Sequence, residues 1–361
     1  MNPKPLFALY MRLRNALKRK LGLLLFDPKS DSPILPISSL KHIVFIRWDA
    51  KWGDTFVSSL IFADFRKAYP DAKITVISSA AMAAYFRHYL KLTDVIEVPN
   101  KPSYAYLKTL AQQLGQVDLL IQYSKVIKIK DMYFLNKVDA RLIAGLDDEI
   151  QQINIKLGEA TNHLHFAQKC TYLLKYLNIK PTNCAYQIPL NPEKIKQAQT
   201  FLANKAPQPL LAINTSGNGK GRHINKLNTK KCIIEALRIS PTINIVLLTT
   251  PDTISEVQTL CNEIQQTNVF YYPQCQTIYD AIALIYCASW VISVDTAIVH
   301  IATGLHKPLL ALYNPNKENY TDWHPNSDSA ISFFAEAVKP ADINALNWQQ
   351  LTANISKLLS S

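Results

Sequence analysis

Three short segments hold residue types whose spacing could do chemistry. The sharpest is VISVDTAIVH, residues 291–300. An apolar run fit for a buried strand ends at Asp295-Thr296, and a helical pattern opens there. The unpaired amides of a helix's first turn attract an anion. Thr296 adds a hydroxyl and Ala297 follows it. His300 falls one turn in, near enough to touch a phosphate or a sugar hydroxyl. A second segment, Thr215-Ser216-Gly217-Asn218-Gly219-Lys220-Gly221-Arg222, sets three glycines between hydroxyls and a cation, a composition suited to cradling phosphate. It is no Walker A loop, because Lys220 is not followed by Ser or Thr, and no helix opens on it as a dinucleotide fingerprint requires. A surface loop rich in Gly and Asn fits it as well. The third segment is Lys51-Trp52-Gly53-Asp54, at a loop-to-helix junction. The Asp54 carboxylate could act as a general base or cap the helix.

These loops need elements to hold them. Short apolar runs at 42–48, 74–79, 95–98 and 117–123 read as strands, with helical patterns at 55–69, 80–89 and 162–177. The polar stretch 180–192 carries three prolines and reads as a linker. A second set follows, with strands at 209–215, 244–249, 269–272, 290–295 and 308–313. Its helices fall at 230–239, 253–264, 277–288 and 296–305, and a closing helix at 341–359. Strands alternating with helices predict parallel sheets. The expected division is a basic N-terminal extension (1–40), a Rossmann-like domain (41–178), a linker (179–192), a second Rossmann-like domain (193–340) and a C-terminal helix (341–361). Sheets of this kind bind ligands beyond the carboxyl ends of their strands, where all three segments fall.

Composition narrows the function classes. Of 361 residues 48% are hydrophobic, enough for two packed cores, so a disordered chain is excluded. There is no apolar run of the ~18 residues that a spanning helix needs, and the N-terminus lacks the layout of a signal peptide. Six cysteines (170, 184, 232, 261, 275 and 287) show no paired spacing, so reduced thiols are expected rather than zinc or disulfides. The net charge of +12 favours an anionic partner. Nucleic acid is not the expected one, since no recognised binding pattern accompanies the charge. Half of the excess lies in residues 1–30, seven Lys/Arg against Asp27 alone. Apolar residues recur there at helical spacing, as in a helix lying on an anionic membrane surface. A helix packed on the protein's own body fits the same pattern.

The segment 291–308 resembles the D-[ST]-G-x-x-H-x-A motif of family 9 glycosyltransferases, the heptosyltransferases of lipopolysaccharide core assembly. Lys51-Trp52-Gly53-Asp54 is similar to the family's x-x-G-D loop, and Tyr69-Pro70-Asp71-Ala72-Lys73-Ile74 to its Y-P-x-A-x-I. Leu312-Tyr313-Asn314-Pro315 stands where the family often has L-F-G-P, and the resemblance spans most of 42–325. It implies a GT-B architecture, two Rossmann-like α/β domains facing a cleft. It also implies an inverting transfer of L-glycero-D-manno-heptose from ADP-heptose to a Kdo or heptose acceptor of Kdo-lipid A type, without metal or other cofactor. Asp54 would be the base, with Lys51, Trp52 and Gly53 on the acceptor side. Thr215 and Ser216 would take the diphosphate, with Asp295, Thr296, Ala297 and His300. The family's K-R-W-P is absent, leaving Lys226 as the phosphate cation and Arg222 as its rival; Glu256 would lie near the adenosine. Two departures stand out: Ala297 replaces a glycine, and Trp52 is bulky. The resemblance also fits transfer of another sugar, or a silent assembly partner. A monomer peripheral to the cytoplasmic face of the inner membrane is expected.

Overall fold

The computed structural model describes residues 4–29, 39–182, 185–205, 207–217, 219, 221–315 and 317–361. In chain order the first elements are α1 (Lys4–Phe26), β1 (His42–Arg47), α2 (Trp52–Ser58), α3 (Ile61–Ala68) and β2 (Lys73–Ser79). Then come α4 (Ala80–Ala84), β3 (Asp94–Val98), α5 (Tyr104–Leu114), β4 (Gln116–Gln122), α6 (Ile129–Lys137), β5 (Asp139–Gly145), β6 (Ile155–Lys156) and α7 (Phe166–Tyr176). The second set opens with α8 (Pro192–Ala203), β7 (Leu210–Asn214), α9 (Lys226–Ile239), β8 (Asn244–Leu247), α10 (Ile254–Ile264) and β9 (Val269–Tyr271). It closes with α11 (Ile278–Cys287), β10 (Trp290–Val294), α12 (Ala297–Gly304), β11 (Leu309–Tyr313), α13 (Tyr320–Trp323), β12 (Ala330–Phe334) and α14 (Trp348–Leu359).

Two compact units result. The first comprises Met1–Ala50 with Ile61–Cys184, the second Lys51–Leu60 with Ala185–Ser361. Each is built on a six-stranded parallel sheet, ordered β3-β2-β1-β4-β5-β6 in the first and β12-β11-β10-β7-β8-β9 in the second. β1 is buried along its whole length, as a central strand covered on both faces must be. Val44, Ile46, Leu120 and Phe134 pack in one core of the first unit. Phe45 lies against Phe62 and Phe65, with ring centroids 4.6 and 5.4 Å apart. In the second unit Leu211, Ile213, Ile292 and Leu310 meet Leu351, Ile355 and Leu358, so α14 is part of that core.

Several elements depart from the sequence reading. The helix expected at 55–69 is two, α2 and α3. The Ser58 and Ser59 hydroxyls turn back onto the carbonyls of Thr55 and Phe56, at 3.2 and 2.6 Å, and offer the backbone an alternative to helix. The segment 51–60, placed by sequence in the domain 41–178, packs instead with the C-terminal unit. The proline-bearing stretch ends in a helix, for Pro192 opens α8 behind the Asn191 cap. α9 begins at Lys226 rather than 230, capped by Asn225, and α14 at Trp348 rather than 341, capped by Asn347. Strands β5, β6 and β12 and helices α5 and α6 were not anticipated. Residues 30–38 of the extension, and Cys184 with its neighbour 183, lie outside the described residues.

One buried carboxylate ties two helices of the second unit. Asp280, 1% exposed, receives Lys194 of α8 at 2.9 Å, the Thr277 amide and hydroxyl at 2.9 and 2.7 Å, and the Gln276 amide at 3.2 Å. Burial alone would raise its pKa; the donors from Lys194, Thr277 and Gln276 outweigh that and hold it below the ordinary value. A carboxylate depressed in the folded state adds stability above its unfolded pKa and loses it as pH falls through the folded one. Asp280→Asn is therefore expected to cost ~1–3 kcal/mol at neutral pH. The gap from wild type should close as pH drops below ~4, which denaturant titrations at several pH values would measure.

Candidate functional site

The second unit gathers polar groups at the carboxyl ends of β7 and β10. β10 is a buried strand between β7 and β11, and where it ends the chain turns at Asp295 into α12. Thr296 is the N-cap, its Oγ1 accepting from the Ile298 amide at 3.3 Å. Asn214, the last residue of β7, donates to both Thr296 Oγ1 (3.1 Å) and Ser293 Oγ (3.0 Å), which fixes the cap's rotamer. The Asp295 carboxylate pairs with Arg222 at 2.8 Å. Burial raises the Asp295 pKa, and Arg222 opposes that rise. His300, buried one turn into α12, is flanked edge-on by Tyr186 and Trp323, with centroids 6.3 and 5.9 Å away.

α2 lies against α12. Its N-cap is Lys51, in extended backbone without a side-chain bond, so Asp54 is not the cap. Asp54 is the third residue of the helix, within the positive end of its dipole, and lies 3.8 Å from Lys51 Nζ. Gly53 makes the approach possible. A Cβ there would stand 3.0 Å from His300 Cδ2 and 3.5 Å from the Ala297 Cα. Trp52 packs over Phe56 and Tyr279, with centroids 5.4 and 6.0 Å away. Gly53, Ala297 and His300 are thus brought together inside one unit, with Asp54 next to Gly53 in the chain.

The loop after β7 is folded on itself. Ser216 bridges to His223, and the Ile224 amide donates to the Thr215 carbonyl at 2.8 Å. Gly217 lies against the cap: a Cβ there would come within 2.3 Å of Thr296 Cγ2. Gly221, at φ +79°, abuts Asn314, while Gly219, at φ +109°, has open space around it. Both φ values suit glycine. Asn218 and Lys220, part of the expected phosphate cradle, lie outside the described residues. Beside the loop is a concavity lined by Thr215, Ser216, His223, Lys226 and Glu256, with Leu247, Val257 and Leu260 beneath. Lys226 opens α9 and pairs with Glu263; Glu256 faces His223 Nε2 at 3.6 Å.

The two candidate cations therefore occupy different places, Lys226 in the concavity and Arg222 at Asp295. Sequence reasoning missed Asn214 and His223 as parts of this arrangement. Asn214 was legible in principle, being a polar residue closing the apolar run LLAIN. Chemically, hydroxyls, helix amides and cations are groups of the kind that hold an anion. The Asp54 carboxylate, in the first turn of α2, is of the type that can take a proton.

Comparison with known proteins gives the family and the fold. The family model described as Glycosyltransferase family 9 (heptosyltransferase) matches residues 109–347. A chain from Escherichia coli (strain K12), carried under the provisional name lipopolysaccharide heptosyltransferase 4, is 24% identical over 350 residues, 92% of each chain. A family 9 glycosyl transferase from Veillonella parvula DSM 2008 superposes with a TM-score of 0.74 at 18% identity, covering 92% of this chain and 100% of that one. The E. coli heptosyltransferase WaaC, solved with ADP, gives 0.63 at 16% identity, over 88% of this chain and 99% of that one. The two-sheet α/β fold is that of these GT-B-type structures.

Two glycines test how the site is packed. The Thr296 methyl near Gly217 cannot rotate away without releasing Asn214 and the Ile298 amide, so Gly217→Ala should cost ~1–3 kcal/mol. At Gly53 the tighter contact with the His300 ring is offset by alanine's helix preference, ~1 kcal/mol over glycine. Thermal melts should show Gly53→Ala close to wild type and Gly217→Ala clearly lowered.

Proposed function

This chain belongs to glycosyltransferase family 9, and on that premise we propose that it transfers a heptose from ADP-heptose to the inner core of lipopolysaccharide or lipooligosaccharide, inverting the anomeric centre without a metal. The observation that carries this reading is the Gly53–His300 contact. It sets the helix that carries Asp54, the candidate base, against the N-terminal turn of α12, which suits a diphosphate.

In this reading the donor diphosphate faces the first amides of α12 and the hydroxyls of Thr296, Thr215 and Ser216. Lys226 supplies the phosphate cation from the concavity, where Glu256 lies near the adenosine. Arg222 neutralises Asp295, so the carboxylate does not repel the incoming phosphates, and it can shift its own charge onto them. Asp54 takes the proton of the acceptor hydroxyl as that oxygen bonds to the anomeric carbon. The bond from that carbon to the diphosphate oxygen breaks from the opposite face, and ADP leaves with its added charge held by amides and cations. Lys51, Trp52 and Gly53 border the acceptor. The acceptor sugar, Kdo or heptose, is carried on a lipid, so the reaction belongs at the cytoplasmic face of the inner membrane. WaaC, the E. coli heptosyltransferase solved with ADP, supports the choice of donor.

Two measurements test the assignment. Asp54→Asn should lower turnover by ~10²–10⁴-fold while ADP-induced thermal stabilisation stays near wild type; full turnover in the variant would overturn the role of Asp54. ADP should stabilise the wild type without added divalent metal, EDTA should leave turnover intact, and Lys226→Ala and His300→Ala should each reduce the ADP shift. A loss confined to Arg222→Ala would move the phosphate cation there.

A further inference from the structure

Helix α1 is turned the opposite way from an ordinary packed helix. Its C-terminal end is clamped to the first unit. Gly22 lies so close to α6 that a Cβ would meet Met132 Sδ at 2.6 Å. Phe26 stacks edge-on with Tyr133 at 5.2 Å. Arg19 forks onto Asp147 at 2.8 and 2.9 Å, with Glu149 at 2.7 Å, and buried Asp27 accepts the amides of Gln151 and Gln152. The face presented to the body carries Arg19, Gly22, Leu23 and Phe26. Most of the helix's other leucines are exposed.

At 100° per residue Tyr10, Leu13, Leu17, Leu21 and Leu24 fall on the face opposite Gly22. All are exposed, Leu17 at 69% and Leu24 at 82%. Arg14 and Lys18 lie beyond one side of this stripe, Lys20 and Arg12 beyond the other. Residues 4–26 contain no acid at all. A large outward apolar face on a fixed helix marks an interaction surface. The charge says what covers it. A second copy would press basic residues against basic residues with no acid on either helix to pair them, Lys20 among them at the border of the seam. An anionic bilayer accepts both features: the leucines enter the acyl boundary and the long basic side chains reach lipid phosphates. No helix among the described residues is long and apolar enough to cross a membrane, so α1 would lie in the plane of the surface.

We propose that α1 is a membrane-docking helix, fixed to the first unit through Gly22, Arg19 and Phe26 and laying its leucine face into an anionic lipid surface. The inference draws its purpose from the lipid-linked acceptor proposed above; the outward leucines and the acid-free helix stand without it.

The test uses the full chain and sonicated vesicles containing neither donor nor acceptor. Wild type should cosediment with vesicles of phosphatidylglycerol and phosphatidylcholine, weakly with phosphatidylcholine alone, and less as salt rises from ~0.1 to ~0.5 M. Leu17→Asp with Leu24→Asp, and separately Arg12→Glu with Lys20→Glu, should each weaken binding at least ~10-fold. The ADP-induced thermal shift should be unchanged in both variants, which separates this result from the fate of the donor site. Equal binding by the leucine variant, or no preference of wild type for anionic vesicles, overturns the proposal. So does a wild-type dimer that the leucine variant converts to monomer, since the face would then be a self-interface.

Discussion

The contact between α2 and α12 is a backbone-to-ring approach that leaves room at residue 53 for little more than a methyl group. His300 is buried and boxed by Tyr186 and Trp323, so its ring cannot retreat far to admit a larger neighbour. The seven residues of α2 are too few to hold a helix by themselves. Their conformation depends on resting against α12, and the position of Asp54 depends on their conformation. The turn proposed to hold the diphosphate and the proposed base are therefore one packing problem, solved within one unit.

Around that contact the polar groups are arranged to hold charge without moving. Asn214 pins Thr296 from the end of a buried strand, and Gly217 closes on the same threonine from the loop. A cap so restrained presents its amides in a fixed direction, and fixed dipoles need no reorganisation when a diphosphate arrives. The Arg222–Asp295 pair adds an adjustable element, because the guanidinium is part-exposed and can exchange one oxyanion for another.

Much of this was legible in the residues, and the failures have identifiable causes. The central strands could be read because both of their faces are covered: HIVFIR and WVISV are apolar enough to stand out. β6, two residues long, and β12, a half-buried edge strand with a serine in its middle, carry no such run. The break between α2 and α3 comes from two serine hydroxyls that apolar periodicity does not register. The site turn at 295–300 was readable because strand, cap and helix are contiguous in sequence. The allegiance of 51–60 was not, for it is decided by a glycine meeting a histidine some 250 residues away. The separate stations of Arg222 and Lys226 were equally hidden, since each is set by a distant acid partner, Asp295 and Glu263.

The detour of residues 51–60 into the second unit bears on how such a protein can be inherited in pieces. A genetic exchange with a relative at the junction near 184 would deliver the C-terminal sheet, the anion turn and His300 from one parent, and α2 with its aspartate from the other. The chimera would join halves whose shared contact was never selected together. Recombination at the apparent border is thus blind to the border that matters, and a viable hybrid needs two further crossovers, one on each side of a ten-residue insert. Lineages of this architecture are expected to diversify by point substitution around the contact more readily than by swapping halves.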